Sequence, residues 1–582
     1  MKIFDSYRMY ITPLSPIHIG TGESYEPTNY VIEDGVLHEF DTGAVMAAFS
    51  EAERAKLLGI ATGKPDANMI EAVQRFFYER REPLMGHAIQ HVPVLPGVAG
   101  LYARRVGQTA NREADGNKVV NRLEIDRTSF NPINRQPLLF GSSLKGAMRT
   151  ALLNRENDGE RLLKVEDRRT KKRSDENNQN NQELQNRLFK FSPGKFELDP
   201  MRLVQLADAP WSGELGLPAA QVHLAVNRKK VEIKDKQGNV RKSQAESKDL
   251  YQILECIPGW RYRAFTGQIN LQSVSGVPAM GRNGKLQLPA SNLHFSAKSI
   301  AQACNAFYLP ILEDELALLR ERKYLGQRWG QAIQKMLNAA RDKMQHSEAF
   351  LLRVGRHSGA ESVTLNGVRQ IKIMKGKGEQ PEYLDTAKTL WLAADAKDQA
   401  TDLLPFGWLL VELQPISTTT SDWPELKAAC EPYLADARAF AKKLADQQVR
   451  LNQAKAAAEA KRREEAEAAR IAAEQEIQRQ KAEAKRLAKL QQLTPNLRWI
   501  EQFKDEFADR TNQLRGSKDR QNTDYHQRAQ KLAKEALESA DWTAEEKYAA
   551  ADAIAEWLPK VIERIDKDAL KKLKLAALRG IG

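Results

Sequence analysis

Residues 140–150 read Phe140-Gly141-Ser142-Ser143-Leu144-Lys145-Gly146-Ala147-Met148-Arg149-Thr150, and this stretch decides the fold that we predict. It follows the apolar run Pro137–Phe140 and leads into the apolar run Ala151–Leu153. A glycine and two small polar residues between two apolar runs are typical of a strand, a tight turn and the start of a helix. The stretch therefore predicts a β-strand that turns directly into a helix.

The first turn of that helix is a candidate phosphate site. Ser142 and Ser143 are good N-cap residues, whose side chains can accept hydrogen bonds from amides of the first turn. Lys145 and Arg149 lie four residues apart, on one helix face. Free amides and partial positive charge at a helix N-terminus attract anions, so contact with a nucleotide or an RNA backbone is predicted. A structural interpretation stays open, in which Gly141 and Gly146 only turn the chain and let the helix pack tightly, and both cations are merely solvated.

Two further glycine turns resemble this one in composition. The N-terminal turn, Ser15–Glu23, contains His18, Gly20 and Gly22. The third turn, Leu352–Ser362, contains Arg356, His357 and Ser358. Glycine lets the backbone approach a ligand closely, so these residues are candidate RNA contacts. For His357, an RNA contact and a packed side chain both remain possible.

The overall charge favours an anionic partner. The chain has 582 residues, with 89 Lys and Arg against 76 Asp and Glu, which gives a formal net charge of +13. Nucleic acid is the first candidate partner for such a balance, although long basic helices can also serve only solubility. The three cysteines, Cys256, Cys304 and Cys430, are far apart and form no CxxC pair. We therefore expect no disulfide framework, no metal site and no cofactor.

The sequence predicts a cytoplasmic protein that makes no contact with a membrane. No run of 18 apolar residues occurs, and a run of that length is what a membrane-spanning helix needs. The first eight residues, Met1–Arg8, lack the apolar segment of a signal peptide.

The order of patterns along the chain predicts an α+β fold. Asp34-Gly35 between apolar runs predicts a hairpin over 30–40. The alternation over 265–271 predicts a half-solvated antiparallel strand. Helices are expected over 41–58, 70–82 and 297–345, and a loop or edge strand over 92–101. The basic and amide-rich tract 168–182 is expected to be a mobile insert, whose basic residues 168–173 either touch RNA or only solubilise a loop.

The C-terminal part differs in composition. Residues 433–493 are dominated by Ala, Glu, Lys, Arg and Gln, with no Gly or Pro, which predicts one continuous charged helix. It lacks the sustained apolar seam that a stable coiled coil requires, so a single helix or a weak coil is expected. Amphipathic patterns after residue 495 predict a small helical module. We predict four domains, namely two α+β halves over 1–210 and 211–424, the helix over 425–494 and the module over 495–582.

Three stretches together resemble the RAMP superfamily of CRISPR effector proteins. They are Ile11–Glu23, Gly141–Thr150, and Gly355–Ser362 together with Leu404–Trp408. The Gly141–Thr150 string is shared across several RAMP subunits. The string around Ser15–Glu23 is typical of a narrower group of proteins. It is most similar to the fifth subunit of type III-A Csm complexes. The resemblance covers about residues 7–424, and it gives no role to the long helix and the module.

The resemblance implies two ferredoxin-like, RNA-recognition-type halves and a non-catalytic subunit that holds the 3′ end of the CRISPR RNA. Its implied partners are the CRISPR RNA, the repeated backbone RAMP subunit and the small helical subunit. It also implies a role in CRISPR RNA maturation, with trimming by a recruited nuclease. The predicted RNA-binding residues are His18, Gly20, Gly22, Ser142, Ser143, Lys145, Gly146, Arg149, Arg356, His357 and Ser358.

Two alternatives remain open. The first is a ribonuclease that cleaves repeat RNA, because His18 lies beside a glycine turn and related endonucleases use a histidine as general acid and base. Asp126 is a further catalytic candidate by analogy with the backbone RAMP subunit, although Glu124 and Arg127 nearby favour a salt link or a turn. The second alternative is a scaffold that acts through its C-terminal helices.

Overall fold

The computed structural model describes residues 3–112, 118–120, 123–163, 166, 175–191, 194–234, 236–238, 240–248, 250–281, 283–285, 287–374 and 379–581. The chain divides into two compact units, Met1–Lys455 and Ala456–Gly582. None of the described helices combines the length and the apolar composition that crossing a membrane requires.

The strands belong to the first unit. They are β1 (Phe4–Pro13), β2 (Gly20–Tyr25), β3 (Tyr30–Glu33), β4 (Val36–Phe40), β5 (Ala88–Pro93), β6 (Thr109–Arg112), β7 (Lys118–Val120), β8 (Ile125–Thr128), β9 (Leu138–Leu139), β10 (Val204–Leu206), β11 (Ala209–Pro210), β12 (Gln221–Lys229), β13 (Tyr251–Cys256), β14 (Phe265–Gln272), β15 (Ala349–Arg353), β16 (Ile371–Ile373), β17 (Glu382–Leu384), β18 (Thr389–Ala394), β19 (Leu404–Pro405) and β20 (Trp408–Pro415).

The α-helices are α1 (Thr42–Ala48), α2 (Glu51–Ala61), α3 (Ala67–Glu79), α4 (Arg81–Met85), α5 (Pro96–Arg105), α6 (Gly141–Asn157), α7 (Asp175–Phe189), α8 (Gln244–Ser247), α9 (Ala297–Glu321), α10 (Gln327–Gln345), α11 (Pro424–Gln492), α12 (Pro495–Leu514), α13 (Asp524–Glu538), α14 (Ala544–Val561), α15 (Lys567–Lys572) and α16 (Leu575–Leu578). Short 3-10 helices occur at Phe196–Leu198, Pro200–Leu203, Ser291–Leu293 and Ala360–Val363.

The main core is built on a five-stranded antiparallel sheet with strand order β10-β14-β1-β20-β15. Strand β1 lies at its centre, where Met9 is fully buried and pairs with Gly267 on one side and Leu413 on the other. Helices α6 and α9 pack beside each other and contribute to the same apolar cluster. Strand β14 alternates between buried and less buried residues, so the predicted half-solvated strand is confirmed.

A six-stranded sheet has the order β19-β18-β12-β13-β8-β2. Its pairs are antiparallel, except that β13 and β8 are parallel. Both large sheets contain strands from before and after residue 210. The arrangement of strands in space therefore does not follow the predicted division between 1–210 and 211–424, and the four domain boundaries stay predictions.

Residues 14–19, here called the crossing loop, connect several distant segments. The Leu14 amide donates to the Trp408 carbonyl over 2.9 Å, and the Trp408 amide donates to the Ser15 hydroxyl over 3.0 Å. Ile17 exchanges two backbone hydrogen bonds with Ile257. The His18 carbonyl accepts from the Arg356 amide over 2.8 Å. Buried backbone groups must be paired, so these bonds fix where the surrounding loops lie.

Several local predictions hold. The hairpin of β3 and β4 is confirmed, with positive φ at both Asp34 and Gly35 as its tight turn requires. The long charged helix is confirmed as α11, which is continuous from Pro424 to Gln492. The helical character predicted after residue 495 is confirmed by α12–α16, which share an apolar cluster that includes Phe503, Phe507 and Ile554.

Three local predictions are wrong. The helix predicted over 41–58 is two helices, because Ser50 caps α2 in a capping box with Glu53. The loop or edge strand predicted over 92–101 holds only for Val92 and Pro93, which end the edge strand β5. It is wrong beyond them, because α5 begins at Pro96, which occupies the first helical turn and so loses no hydrogen bond. The amide-rich residues 177–182 lie in α7 rather than in an irregular insert, and the buried Leu188 and Phe189 of that helix pack in the main core. The basic residues 168–173 lie outside the described residues.

Glycine at position 355 is required by the crossing loop. Gly355 has a φ of +82°, and a Cβ there would overlap the carbonyl oxygen of His18. Gly22 provides a matched control, since its φ is also +82° but no atom lies within 4 Å of the position of its Cβ. Comparing alanine substitutions at these two positions therefore distinguishes the cost of backbone strain from the cost of steric overlap.

We expect Gly355→Ala to lower the free energy of unfolding by about 3 kcal/mol, from left-handed strain plus overpacking. Gly22→Ala should lower it by only about 1 kcal/mol, from the strain alone. Urea unfolding of the two variants at one pH measures this difference. Equal losses would show that the crossing loop can move away from residue 355.

His38 and His91 form a cross-strand pair in the sheet of β3, β4 and β5. They are register partners, and their Nδ1 atoms lie 2.9 Å apart. Burial, with the neighbouring imidazole of His91 as a second cause, lowers the pKa of His38 from 6.5 to about 3. Burial also lowers the pKa of His91. The folded protein therefore holds both rings neutral at pH values where the unfolded chain binds protons.

This difference predicts acid sensitivity. The pKa of His38 is lower in the folded protein than in the unfolded chain. Its contribution to the free energy of unfolding is therefore fully present above pH 6.5 and is lost as the pH falls toward 3. Between pH 7 and pH 5, this group alone should lower the free energy of unfolding by about 2 kcal/mol. His38→Gln should reduce the pH dependence by that amount in urea unfolding at both pH values. An unchanged pH dependence in the variant would contradict the assignment.

Candidate functional site

The N-terminal glycine turn presents its backbone at the surface. Strand β2 pairs with β8 at Gly20–Thr128 and again at Ser24–Asp126, with an irregularity between the two pairs. Gly20 and Gly22 are exposed, and the space around the Cβ position of Gly22 is open. An external group can therefore approach this backbone closely.

His18, by contrast, lies inside the protein. It is fully buried, and its Nδ1 lies 2.7 Å from the backbone carbonyl oxygen of Glu255. A carbonyl only accepts, so Nδ1 carries the proton and Nε2 is the unprotonated nitrogen. Nε2 has no hydrogen-bond partner among the described residues, and burial lowers the pKa of His18. This geometry fixes the crossing loop and gives the imidazole no access to a substrate at the surface.

The third turn lies beside the first. The Arg356 amide binds the His18 carbonyl, and the Arg356 side chain is exposed. Its Nη1 lies 2.5 Å from Oδ2 of Asp126, which is the register partner of Ser24 on β2. Asp126 therefore pairs with Arg356 rather than with the adjacent Arg127. The structure thus brings Gly20, Gly22 and Arg356 together.

The other two candidates of the third turn point inward. His357 stacks on Trp391 with ring centroids 4.8 Å apart, and its Nε2 lies 2.8 Å from Oε1 of Gln252. Burial, with Arg356 as the next cause, lowers the pKa of His357 to about 3. Ser358 is also buried. Of the two interpretations given for His357, the packed side chain describes its surroundings.

Helix α6 begins two residues earlier than it would if Ser142 were its N-cap. Its N-cap residue is Phe140, which gives no side-chain hydrogen bond, so the interpretation of Ser142 and Ser143 as N-caps is wrong. The amide of Gly141 instead donates to Oδ1 of Asp208 over 2.7 Å. A Cβ at Gly141 would lie 2.9 Å from the Ala207 carbonyl oxygen. The glycine therefore admits a neighbouring segment whose carboxylate already occupies the helix N-terminus.

The two predicted cations of α6 have different surroundings. Both carboxylate oxygens of Asp199 lie 3.0 Å from Nη1 of Arg149, and Nη2 of Arg149 donates to Gln185. Arg149 is therefore engaged within the protein. Lys145 is half-buried, and desolvation lowers its pKa against the attraction of Asp199. Next to it, Gly146 is exposed, and no atom lies within 4 Å of the position of its Cβ.

A short chain of contacts links α6 to the crossing loop. The Ser129 amide donates to the Ile19 carbonyl over 2.7 Å, and the Leu138 amide donates to the Ser129 carbonyl over 3.0 Å. Two residues after Leu138, Phe140 caps α6. The start of α6 is thus tied to the segment that carries the N-terminal turn.

A buried charge cluster beneath the N-terminal turn was not predicted. Glu255 accepts hydrogen bonds from the Tyr25 hydroxyl over 2.7 Å and from the Thr128 amide over 3.1 Å. Burial raises the pKa of Glu255, while the nearby guanidinium of Arg127 opposes that rise. Arg127 also lies 3.4 Å from Glu39. The only available signal in the sequence was polar residues at strand positions, which does not identify their partners.

Metal chemistry has no candidate centre among the residues that the structure describes. No group of three or more His, Cys, Asp and Glu side chains in that part of the chain is arranged to hold a metal ion. Asp126, the candidate for metal-dependent cleavage, is engaged with Arg356 instead.

Two solved structures are similar to this chain. The crystal structure of T. onnurineus Csm5 is similar over 69% of this chain and 99% of that chain, with 16% identity and a TM-score of 0.38. A chain in the cryo-EM structure of a Csm–crRNA–target RNA ternary complex of a type III-A CRISPR–Cas system is similar over 70% of this chain and 100% of that chain, with 16% identity and a TM-score of 0.39. The search of curated protein sequences returned no match.

The family comparison covers the first two glycine turns. Residues 10–286 match the model of the RAMP superfamily. This range contains the N-terminal turn, the crossing loop and the start of α6. Over residues 10–286, the chain is similar to the RAMP superfamily.

Proposed function

We propose that this protein is a non-catalytic CRISPR RNA-binding subunit that caps the 3′ end of the guide in a cytoplasmic type III-A effector complex. It supports maturation of the guide, with trimming performed by a recruited nuclease. Its protein partners in this proposal are the backbone RAMP subunit and the small helical subunit. The match of residues 10–286 to the RAMP superfamily and the resemblance of Ser15–Glu23 support this assignment.

The observation that carries the proposal is the open backbone beside the exposed Arg356 and the half-buried Lys145. Gly22 has free space around its Cβ position and lies on the same edge as Arg356. Gly146 has the same free space within a helix, where glycine is about 1 kcal/mol less favourable than alanine. Packing within the protein does not require glycine at position 146. Close approach of an RNA backbone would explain it.

The proposal includes two ferredoxin-like halves. In the first, the chain order β1-α6-β10-β14-α9-β20 gives the spatial order β20-β1-β14-β10, with antiparallel neighbours. This order supports the proposal, because it matches the βαββαβ pattern of the ferredoxin-like fold, with β15 added at the edge. We assign the second half to the six-stranded sheet. On this view the halves are interleaved along the chain rather than consecutive.

The position of His18 weighs against the ribonuclease alternative. A general acid or base must come within hydrogen-bonding distance of the reacting group, directly or through one water. His18 is fully buried and held by the Glu255 carbonyl. The scaffold alternative does not account for the open glycines near Arg356 and Lys145. RNA binding accounts for the open glycines both near Arg356 and near Lys145.

The first test uses a substitution that should improve stability and impair function. Gly146→Ala should raise the free energy of unfolding by up to about 1 kcal/mol, because alanine is the better helix former. It should also weaken RNA binding about 10-fold, since the added methyl group occupies the space that the RNA backbone uses. Filter binding with single-stranded CRISPR repeat RNA, together with urea unfolding, measures both effects.

Gly59→Ala in α2 is the matched control, because Gly59 is also an exposed helical glycine with no atom within 4 Å of its Cβ position. It should stabilise the protein similarly and leave the RNA affinity unchanged. If Gly146→Ala also leaves the affinity unchanged, the RNA path does not pass over α6.

The second test distinguishes the roles of Lys145 and Arg149, the two cations of α6. Lys145→Ala should reduce the slope of log K against log salt concentration by about 0.7, the value for one phosphate of a single strand. Arg149→Ala should instead lower stability, because it leaves Asp199 without its partner. Lys56→Ala on the exposed part of α2 serves as the control for a general loss of positive charge.

Each other outcome of this titration identifies a different function. Affinity that does not respond to salt would favour the scaffold alternative. Cleavage of the repeat RNA that is lost in His18→Ala, with binding retained, would favour the ribonuclease alternative.

A further inference from the structure

Two basic segments of the C-terminal unit lie side by side. The first is the loop that follows α12, over residues 515–520, and the second runs from the end of α14 through α15, over residues 560–574. The Asp519 amide donates to the Val561 carbonyl over 2.7 Å, and the Asp519 carbonyl accepts from the Glu563 amide over 2.9 Å. These bonds form a short parallel bridge that holds the loop against the second segment.

Side chains extend this contact beyond the bridge. Gln521 Nε2 donates to Oδ2 of Asp566 over 2.8 Å, and the Asp566 amide donates to Oε1 of Gln521 over 3.0 Å, although the two residues lie 45 positions apart. Lys518 Nζ donates to the Pro559 carbonyl over 2.7 Å. The fold therefore brings together two stretches whose charges are separate in the unfolded chain.

The joined segments have a large excess of positive charge. They contain nine Lys and Arg residues against four Asp and Glu residues. Two of the four acids are already engaged, since Asp519 is bound by Arg510 over 2.7 Å and Asp566 caps α15. Eight of the cations are exposed and form no ion pair with a carboxylate in the described part of the chain, and we call them the basic surface: Arg515, Lys518, Arg520, Arg564, Lys567, Lys571, Lys572 and Lys574.

The basic surface opposes folding rather than supporting it. Cations on the neighbouring helices have carboxylate partners, as Arg528 lies 2.5 Å from Glu506 and Lys560 lies 2.7 Å from Glu556. The eight cations of the basic surface have none, and like charges collected in one place repel one another and disfavour the compact state. A partner with negative charge would remove this repulsion.

Helix stability and solubility explain only part of the basic surface. Lys571 and Lys572 lie in the last turn of α15, where positive charge is favourable. That argument does not apply to Lys518 and Arg520 in the loop, or to Lys574 at the N-terminus of α16, where positive charge is unfavourable. Solubility is served by charges of both signs spread over a surface, not by one sign collected in one place.

Two members of the basic surface occupy backbone positions that favour glycine. Arg515 has a φ of +45° at the C-terminal end of α12, and Lys574 has a φ of +45° before α16. Glycine adopts this left-handed conformation without strain and is the usual residue at the end of a helix. The chain has long cations at both positions instead, so the positive charge itself has a use.

The composition of the basic surface favours nucleic acid over a protein as its partner. Five of its eight residues are lysine, which is depleted in protein–protein interfaces, and such interfaces are centred on apolar and aromatic side chains. Leu570 is the only exposed large hydrophobic residue of the two segments, both of which the structure describes in full. Neither segment contains an aromatic residue on which a base could stack. Lysine and arginine without such a platform contact phosphate groups, and these contacts carry no sequence information.

We propose that the basic surface binds the phosphate backbone of a nucleic-acid strand without reading its sequence. Cations that lack carboxylate partners match such a strand, because every phosphate along it carries a negative charge. The inference gives a role to the unit Ala456–Gly582 and goes beyond the proposed function, which concerns RNA contacts of the first unit. It does not require RNA to bind at α6.

Lysine footprinting in the full-length protein tests this site directly. A single-stranded RNA of mixed sequence should protect the lysines in and just after α15 from acetylation, while the exposed Lys531 of α13 reacts as it does in the free protein. When free RNA exceeds its Kd about 10-fold, acetylation at the site should slow about 10-fold, since only unbound protein reacts. Mass spectrometry measures the rate at each lysine, and the concentration dependence at Lys574 gives the affinity of this site.

A triple variant removes charge from both segments. Arg520→Gln, Lys571→Gln and Lys572→Gln should together make the slope of log K against log salt concentration shallower by about 2, since one phosphate of a single strand contributes about 0.7. By the same relation, the affinity measured at Lys574 should fall about 100-fold at about 0.1 M salt. Stability in urea should stay the same or rise, because repulsion between like charges is removed.

The matched control removes the same residue types from exposed positions elsewhere in this unit. Arg479→Gln on α11, together with Lys531→Gln and Lys534→Gln on α13, should leave the affinity and the slope at Lys574 unchanged. An equal loss of affinity in this control, or an unchanged affinity in the first triple variant, would overturn the inference.

Two further ligands identify the source of the negative charge. Single-stranded DNA of the same length shares the phosphate backbone, so equal protection of Lys574 by DNA and RNA would support a contact to phosphate alone. Stronger protection by one of the two would identify that one as the bound strand. Polyglutamate that protects Lys574 as well as RNA does would overturn the inference in favour of an acidic protein partner.

Footprinting also separates this inference from the proposed function. If RNA protects Lys574 but not Lys145, and protection of Lys574 persists in Lys145→Ala, the inference holds and the RNA path over α6 is contradicted. If RNA protects Lys145 but not Lys574, only the inference is overturned.

Discussion

The backbone hydrogen bonds of the crossing loop hold the first unit together. Residues 14–19 follow the central strand β1 and connect to segments around residues 128, 257, 355 and 408. Each of these bonds satisfies a group that would otherwise be buried without a partner. The imidazole of His18 adds a side-chain bond to the Glu255 backbone. The surface positions of the first and third glycine turns both follow from this arrangement.

The local elements of the fold could be predicted from the sequence. Asp34-Gly35 gave the hairpin, the alternation over 265–271 gave β14, and the composition after residue 433 gave α11. In each case the signal lies within a few neighbouring residues. The helix after Phe140 was predicted for the same reason, and α6 follows it.

The site could be predicted only in part, because its chemistry depends on distant partners. The N-terminus of α6 is occupied by Asp208, which lies 67 positions away, and Arg149 is bound by Asp199, which lies 50 positions away. No pattern around Gly141 indicates either contact. His18 was predicted as an RNA contact from its place beside Gly20, but the fold around it buries the ring completely. Gly20, Gly22, Ser142, Gly146 and Arg356 are the candidates that the structure leaves exposed.

The central position of β1 has a consequence for how the chain folds during synthesis. Its two neighbours are β14, at Phe265–Gln272, and β20, at Trp408–Pro415, and the Ser15–Trp408 contact spans 393 positions. At about 5–20 residues per second, a ribosome needs about 20–80 s to synthesise that length of chain. During this time an apolar strand that is destined for the core has no partner on one edge. The unpaired edge of β1 is therefore open to association with other chains until its last neighbour has been made.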